Sequence, residues 1–97
     1  MSTVREIKEI PGLSPDAAYK QANQAFRNTG FDVWKERPLA WLVMAKLVDE
    51  QGTIQANAAC RPGIATSVTI TLDSEDHDEI HLQSLLAKLF DNFDLGS

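Results

Sequence analysis

Two histidines, His77 and His81, are the residues whose type and spacing could most readily do chemistry, because residues four apart share one face of a helix. Two histidines so placed can bind one metal ion. The metalloprotease pattern needs a glutamate directly after the first histidine, and Asp78 stands there instead. The other nearby donors are the acidic residues Glu75 and Asp76. We interpret the segment as a solvated helix start, keep His77 and His81 as weak metal candidates, and predict no metal.

The single cysteine, Cys60, could act as a nucleophile only beside a group that lowers its pKa. Ala56, Ala58 and Cys60 are two residues apart along a predicted strand, so Cys60 shares the face that we assign to the core. A buried cysteine usually behaves as a small apolar residue. The chain has no glycine-rich phosphate loop, serine elbow motif or Cys-x-x-Cys pair. We therefore predict no catalytic residue and no cofactor.

The composition describes one acidic domain, residues 1–97. The net charge is −5 and the nine Lys and Arg residues are scattered, so the basic patch typical of nucleic-acid binding is not visible. The same charge disfavours an anionic membrane surface. The first residues are polar, and no apolar run approaches the ~20 residues that span a bilayer. Together with the lone cysteine, these features predict a cytoplasmic protein that binds neither nucleic acid nor membrane.

The segment from Leu39 to Leu72 predicts the centre of a β-sheet. Apolar and β-branched runs at 39–48, 53–60 and 66–72 are separated by turns containing Asp, Gly and Pro, which is the pattern of hairpins. The alternating run 31–36 predicts a further strand. Residues 3–10 predict a first strand with a bulge, because its apolar residues are three apart rather than two.

Two helices complete the predicted elements. The first begins after Ser14 as N-cap and runs to about Asn28, with an apolar stripe of small residues and one aromatic: Ala18, Ala22, Ala25 and Phe26. The second begins at Asp76 or Asp78, where Asp76 and Glu79 fit a capping box. Its stripe is the strongest amphipathic signal in the chain and comprises Leu82, Leu85, Leu86, Leu89 and Phe93, broadened by Ile80 and Phe90.

These elements predict an α+β fold in the order β-α-β-β-β-β-α, with an antiparallel sheet and both helices packed on one face. The apolar sides of 53–60 and 66–72 are expected to face the helices. The element order resembles a reduced helix-grip arrangement, in which a curved sheet wraps a C-terminal helix. This resemblance covers element order alone and implies no activity.

The sheet face away from the helices is predicted to carry an apolar patch. The run 39–48 is apolar on both of its faces, so its far side is not simply solvated. Aromatic and methionine side chains inside a polar rim are typical of protein interfaces. The residues that we expect to contact a partner or ligand are Trp34, Trp41, Leu42, Met44 and Val48.

The predicted function is that of a non-enzymatic binding module. It would associate with itself as a homodimer, with a protein partner, or with an apolar small molecule held between the sheet and the helices. One alternative is a small enzyme with a pocket between the C-terminal helix and the sheet, whose acids and bases would come from Tyr19, Asp32, Glu36, His77 and His81. Another is an acidic regulatory or adaptor domain that meets a basic partner.

Overall fold

A computed structural model describes residues 1–93, which form a sheet of five strands with two helices on one of its faces. The elements in chain order are β1 (Ser2–Ile10), α1 (Pro15–Asn28), β2 (Asp32–Arg37), a 3-10 turn (Pro38–Ala40), β3 (Leu42–Asp49), β4 (Gly52–Arg61), β5 (Thr66–Ser74) and α2 (Glu79–Asp91). All strand pairs are antiparallel, in the order β1-β5-β4-β3-β2. The predicted α+β fold and element order are confirmed. Neither of these helices is long and apolar enough to cross a membrane.

The sheet has its β-bulge in a different edge strand from the one predicted from the sequence. β1 pairs with β5 without interruption from Ser2 to Ile10. Its buried residues, Val4 and Ile10, face the helices, whereas Ile7 faces away from them and is 58% exposed. The spacing of three therefore reflects an outward apolar residue, and the predicted bulge in β1 is wrong. The bulge lies in β2 instead, between Val33 and Lys35.

The core fills the space between the sheet and the helices. α1 packs mainly on β2, β3 and β4, and α2 packs on β1 and β5. Small residues at the contact allow α1 to approach β4 closely, because Ala18 and Ala22 of the helix and Ala56 and Ala58 of the strand are all buried. Larger side chains fill the other half of the core, namely Val68, Ile70 and Leu72 from β5 and Leu82, Leu86, Leu89 and Phe90 from α2.

The helix starts follow local capping chemistry. Ser14 caps α1 as predicted, with its Oγ accepting the backbone N–H of Ala17 at 3.1 Å. α2 is capped by Asp78, whose carboxylate accepts the backbone N–H of His81 at 2.8 Å. The predicted capping box at Asp76 is wrong, because that side chain is used elsewhere. Ile80 is 79% exposed and does not broaden the apolar stripe of α2.

Candidate functional site

The loop between β5 and α2 turns back onto the β3–β4 hairpin and buries His77 there. Its side chain has no solvent exposure, although the neighbouring residues of the loop are exposed. The loop was expected to be solvated throughout, and for His77 this expectation is wrong. A buried polar side chain needs hydrogen-bond partners, and His77 has one at each ring nitrogen.

Ser74 and Asp49 are those partners. The Ser74 Oγ lies 3.0 Å from His77 Nδ1, and the nearer carboxylate oxygen of Asp49 lies 2.8 Å from His77 Nε2. Ser74 is the last residue of β5 and Asp49 the last residue of β3, so the histidine joins the ends of two strands that are not neighbours in the sheet. The contact between His77 and Asp49 bridges 28 positions of sequence, which no local pattern could have indicated.

Ser74 links His77 to the backbone of its own loop and of β4. The hydroxyl has one proton, and it is donated to the carbonyl oxygen of Thr53 at 2.8 Å, since a carbonyl can only accept. The same Oγ accepts the backbone N–H groups of Asp76 and His77. Ser74 thus joins the loop to β4 through three backbone hydrogen bonds and one contact with the ring of His77. At the other ring nitrogen, Nε2 donates to Asp49, because an ionised carboxylate can only accept.

This bonding also bears on catalysis, because serine, histidine and aspartate occur in contact. A nucleophilic serine gives its proton to the histidine and exposes its oxygen to substrate. Ser74 is 5% exposed and gives its proton to a backbone carbonyl. The arrangement is therefore suited to holding the loop in place rather than to nucleophilic attack.

Asp49 is fixed by the hairpin turn as well as by His77. Its carboxylate accepts the backbone N–H of Gln51 at 2.9 Å and that of Gly52 at 3.1 Å. The hydrogen bond from His77, followed by these two backbone donors, lowers the pKa of the Asp49 carboxyl below its usual value. The ionised side chain is thus held at the end of β3 before any ligand is considered.

Asp76 makes a second link between the loop and the hairpin. Its carboxylate accepts the backbone N–H of Thr53 at 3.0 Å and occupies the space beside Gly52 where a Cβ would lie. Gly52 has a φ of +142°, and a Cβ at this position would overlap the Asp76 side chain. The glycine is therefore required both by its backbone angle and by the close approach of Asp76.

His81 brings a second imidazole to the same place. Its ring stacks on that of His77 with centroids 4.9 Å apart and an angle of 20° between the planes. One potential ligand atom from each of Asp49, His77 and His81 lies within 4.8 Å of the other two. The acidic residues beside the histidines had been the expected further donors; the structure instead supplies Asp49, from a strand remote in sequence.

The sheet face opposite the helices, here called the open face, carries most of the predicted contact residues. Directly opposed residues on neighbouring strands project to the same side of a sheet. One row across the open face comprises Ile7, Thr69, Ala59, Leu42 and Arg37. The next comprises Arg5, Thr71, Asn57, Met44 and Lys35, and the third comprises Thr3, Asp73, Gln55, Lys46 and Asp32.

Four of the five predicted contact residues lie on this face or at its edge. Leu42 and Met44 are partly exposed, and Val48 at the far end of β3 is 63% exposed. Trp34 lies in the bulge of β2 and is 51% exposed. The remaining exposed surface of the face is mostly threonine, amide and charged side chains.

Trp41 is placed differently from the other four. It lies outside β3, with the left-handed φ of +50° after the 3-10 turn. Its ring packs partly against the core, and its indole Nε1 donates to Asp16 at 2.7 Å. This hydrogen bond connects the start of β3 to α1, and Trp41 is not part of the open face.

Cys60 lies where the alternation of β4 placed it, on the covered face of the sheet. It is 1% exposed, and burial raises the pKa of its thiol to about 11. A neutral, enclosed thiol is a poor nucleophile.

Comparison with known proteins gives a structural relationship alone. No protein-family model matches the chain, and no curated protein matches it. Among solved structures, the chain is similar to TTHA0849 from Thermus thermophilus, with a TM-score of 0.57 and 16% sequence identity. The match covers 92% of this chain and 86% of that one. At this identity the similarity supports the fold and carries no function.

Proposed function

We propose that the protein is a small binding module that acts through its open face, and that a second copy of the chain occupies this face. The observation that carries the proposal is the presence of exposed apolar side chains among charges of both signs. Leu42 and Met44 lie beside each other on β3, with Trp34 at one edge and Val48 at one end. An apolar centre within a polar rim favours association.

One pair of opposite charges on the open face suits a two-fold symmetric dimer. Asp73 on β5 and Lys46 on β3 lie in the same row, one strand to either side of the central strand β4. A two-fold axis along β4 would place Asp73 of one copy opposite Lys46 of the other, and the reverse contact would follow by symmetry. Each dimer would contain two such pairs, and the apolar side of β3 would cover the threonines of β5. The same axis would place Arg5 of one copy opposite Lys35 of the other, and this like-charge contact would weaken the dimer.

The open face is large enough to support such a dimer. Five strands about 4.8 Å apart, each about eight residues long at 3.3 Å per residue, present roughly 600 Å². A standard protein interface buries about 800 Å² on each partner. The expected complex is therefore reversible, with the two sheets packed face to face and their strands within about 30° of each other.

Sedimentation equilibrium of the purified protein, over a wide concentration range, tests the proposal. Lys46→Asp and Asp73→Lys each replace two attractions per dimer by repulsions and should weaken self-association about tenfold. The double variant exchanges the two charges and should restore most of the affinity. Lys20→Asp is the matched control, because it makes the same charge change on an exposed position of α1.

The outcomes separate this proposal from its alternatives. A monomer at every concentration would overturn the homodimer. It would leave a different protein partner on the open face, or an apolar small molecule held between the sheet and the helices, as the alternatives. Equal weakening by Lys20→Asp would indicate a general charge effect rather than a contact through the open face. A cytoplasmic location and the absence of catalysis stay predictions from the sequence.

A further inference from the structure

We propose that Asp49, His77 and His81 form a binding site for one divalent transition-metal ion of the zinc class. One ligand atom from each residue lies within 4.8 Å of the others. Two imidazole nitrogens and one carboxylate oxygen are a donor set that suits zinc, whereas calcium and magnesium prefer oxygen ligands alone. The site lies at the junction of the hairpin and α2 and is independent of the open face.

The contact between His77 and Asp49 is the strongest argument for a cation. A nitrogen of a buried imidazole and a carboxylate oxygen lie 2.8 Å apart and face each other, as two ligands of one ion would. In the metal-free protein a hydrogen bond occupies this contact, and a metal ion would take the place of its proton.

The surroundings hold two of the three ligands in place before a metal binds. Metal-binding histidines commonly hydrogen-bond a polar group through their second ring nitrogen, and His77 Nδ1 lies 3.0 Å from the Ser74 Oγ. Asp49 is held by the backbone N–H groups of Gln51 and Gly52. His81 is exposed, and rotation of its side chain on the first turn of α2 can complete the set.

The spacing of the three ligand atoms would have to change to admit zinc, with His81 moving closer to the other two. Zinc bonds of about 2.0 Å in tetrahedral geometry place neighbouring ligands roughly 3.3 Å apart. The 2.8 Å between His77 Nε2 and Asp49 must therefore widen by about half an ångström. Three protein ligands leave a fourth position to solvent, because His81 and part of Asp49 are exposed.

The experiment is isothermal titration of the untagged, chelator-treated protein with zinc chloride, repeated with magnesium chloride. We expect one zinc ion per chain with micromolar affinity, and no comparable heat from magnesium. His81→Ala and Asp49→Asn should each weaken zinc binding by about tenfold or more. His81 is exposed, and asparagine can still accept the hydrogen bonds of the turn, so both variants should fold.

Glu75→Gln is the matched control, because it removes an exposed negative charge beside the site without removing a proposed ligand. Its zinc affinity should equal that of the unaltered chain. Histidine ring signals in nitrogen-15 NMR should show that His77 and His81 shift together on addition of zinc. No zinc binding, equal binding of magnesium, or the same loss in Glu75→Gln and His81→Ala would overturn the proposal.

Discussion

At the scale of single residues, His77 has no solvent exposure yet contacts a hydroxyl at one ring nitrogen and a carboxylate at the other. Removing a partner from a buried polar group costs more than the net gain of one hydrogen bond, because the remaining group loses both water and protein partners. His77, Ser74 and Asp49 therefore depend on one another. Their contacts join the end of β3, the end of β5 and the start of α2 whether or not a metal is bound.

Gly52 is the second residue on which this junction depends, and Gly52→Ala tests it. The substitution places a Cβ at a φ of +142° and against Asp76, so the loop must shift. We expect the free energy of unfolding to fall by roughly 2–4 kcal/mol, measured by urea denaturation.

Gly12→Ala is the matched control for that measurement. Gly12 also has a positive φ, +82°, but no atom of residues 1–93 lies within 4 Å of the position of an added Cβ. The control should therefore lose only about 1 kcal/mol, from the backbone conformation alone. Equal losses for the two variants would mean that Asp76 moves aside at no cost.

Cys60 gives a prediction about pH and reactivity. Its thiol has a pKa of about 11 against an ordinary 9.0, so the folded protein favours the neutral form. Labelling of the native protein by a thiol reagent at pH 8 should be far slower than labelling in denaturant. The free energy of unfolding should be at its full value below pH 9 and decrease as the pH rises toward 11, and Cys60→Ala should lack this contribution. Rapid labelling without denaturant would contradict the burial.

At the scale of elements, α2 contributes large side chains to the core through one stripe. Leu86 lies on the buried side of this helix and Ile80 on the exposed side. Leu86 is 6% exposed and packs in the core, whereas Ile80 is 79% exposed. Leu86→Ala should lower the free energy of unfolding by roughly 2–5 kcal/mol. Ile80→Ala should change it by less than about 0.5 kcal/mol, and chemical denaturation measures both.

If both variants lowered the free energy of unfolding equally, Leu86 would not face the core in preference to Ile80, and the orientation described for α2 would be wrong. A Leu86→Ala variant as stable as the unaltered chain would contradict the role of α2 as a core element.

The elements themselves could be predicted from the sequence because their signals are local. Ser14 and Pro15 mark the start of α1, and the period of two in 53–60 assigns Cys60 to the covered face. These features depend on residues close together in the chain. The same holds for the leucines of α2. Ile80 was predicted to broaden their stripe, but it lies at the edge of the stripe and is exposed.

The site could be predicted only in part, because it depends on contacts between distant residues. The histidine pair was visible from its spacing, but Asp49 is 28 positions from His77 and becomes a neighbour only through the register of β3, β4 and β5. Its position after a strand and before a glycine indicates a turn and gives no sign of a ligand. The bulge at Trp34 was missed because an alternating sequence does not reveal an extra residue between strands.

At the scale of the whole molecule, charge is unevenly distributed between the two sides of the sheet. The chain carries a net charge of −5, yet basic residues outnumber acidic ones among the open-face positions assigned by strand pairing and alternation within residues 1–93. The basic residues are Arg5, Lys35, Arg37, Lys46 and Arg61, and the acidic ones are Glu9, Asp32 and Asp73. The affinity of contacts through the open face should therefore depend on ionic strength more strongly than the free energy of unfolding does.

The two tryptophans report separately on the two sides of the sheet, so their fluorescence tests where copies of the chain meet. Trp34 is half-exposed at the edge of the open face, and Trp41 is bonded to Asp16 of α1 on the helix side. In Trp41→Phe the emission comes from Trp34 alone, and its quenching by acrylamide should decrease as rising protein concentration drives association. In Trp34→Phe the emission comes from Trp41, and its quenching should not change with concentration, because α1 and the core already shield that ring. If the protein associated while the quenching of Trp34 stayed constant, the contact would lie away from this edge of the open face, for example along the outer edge of β1.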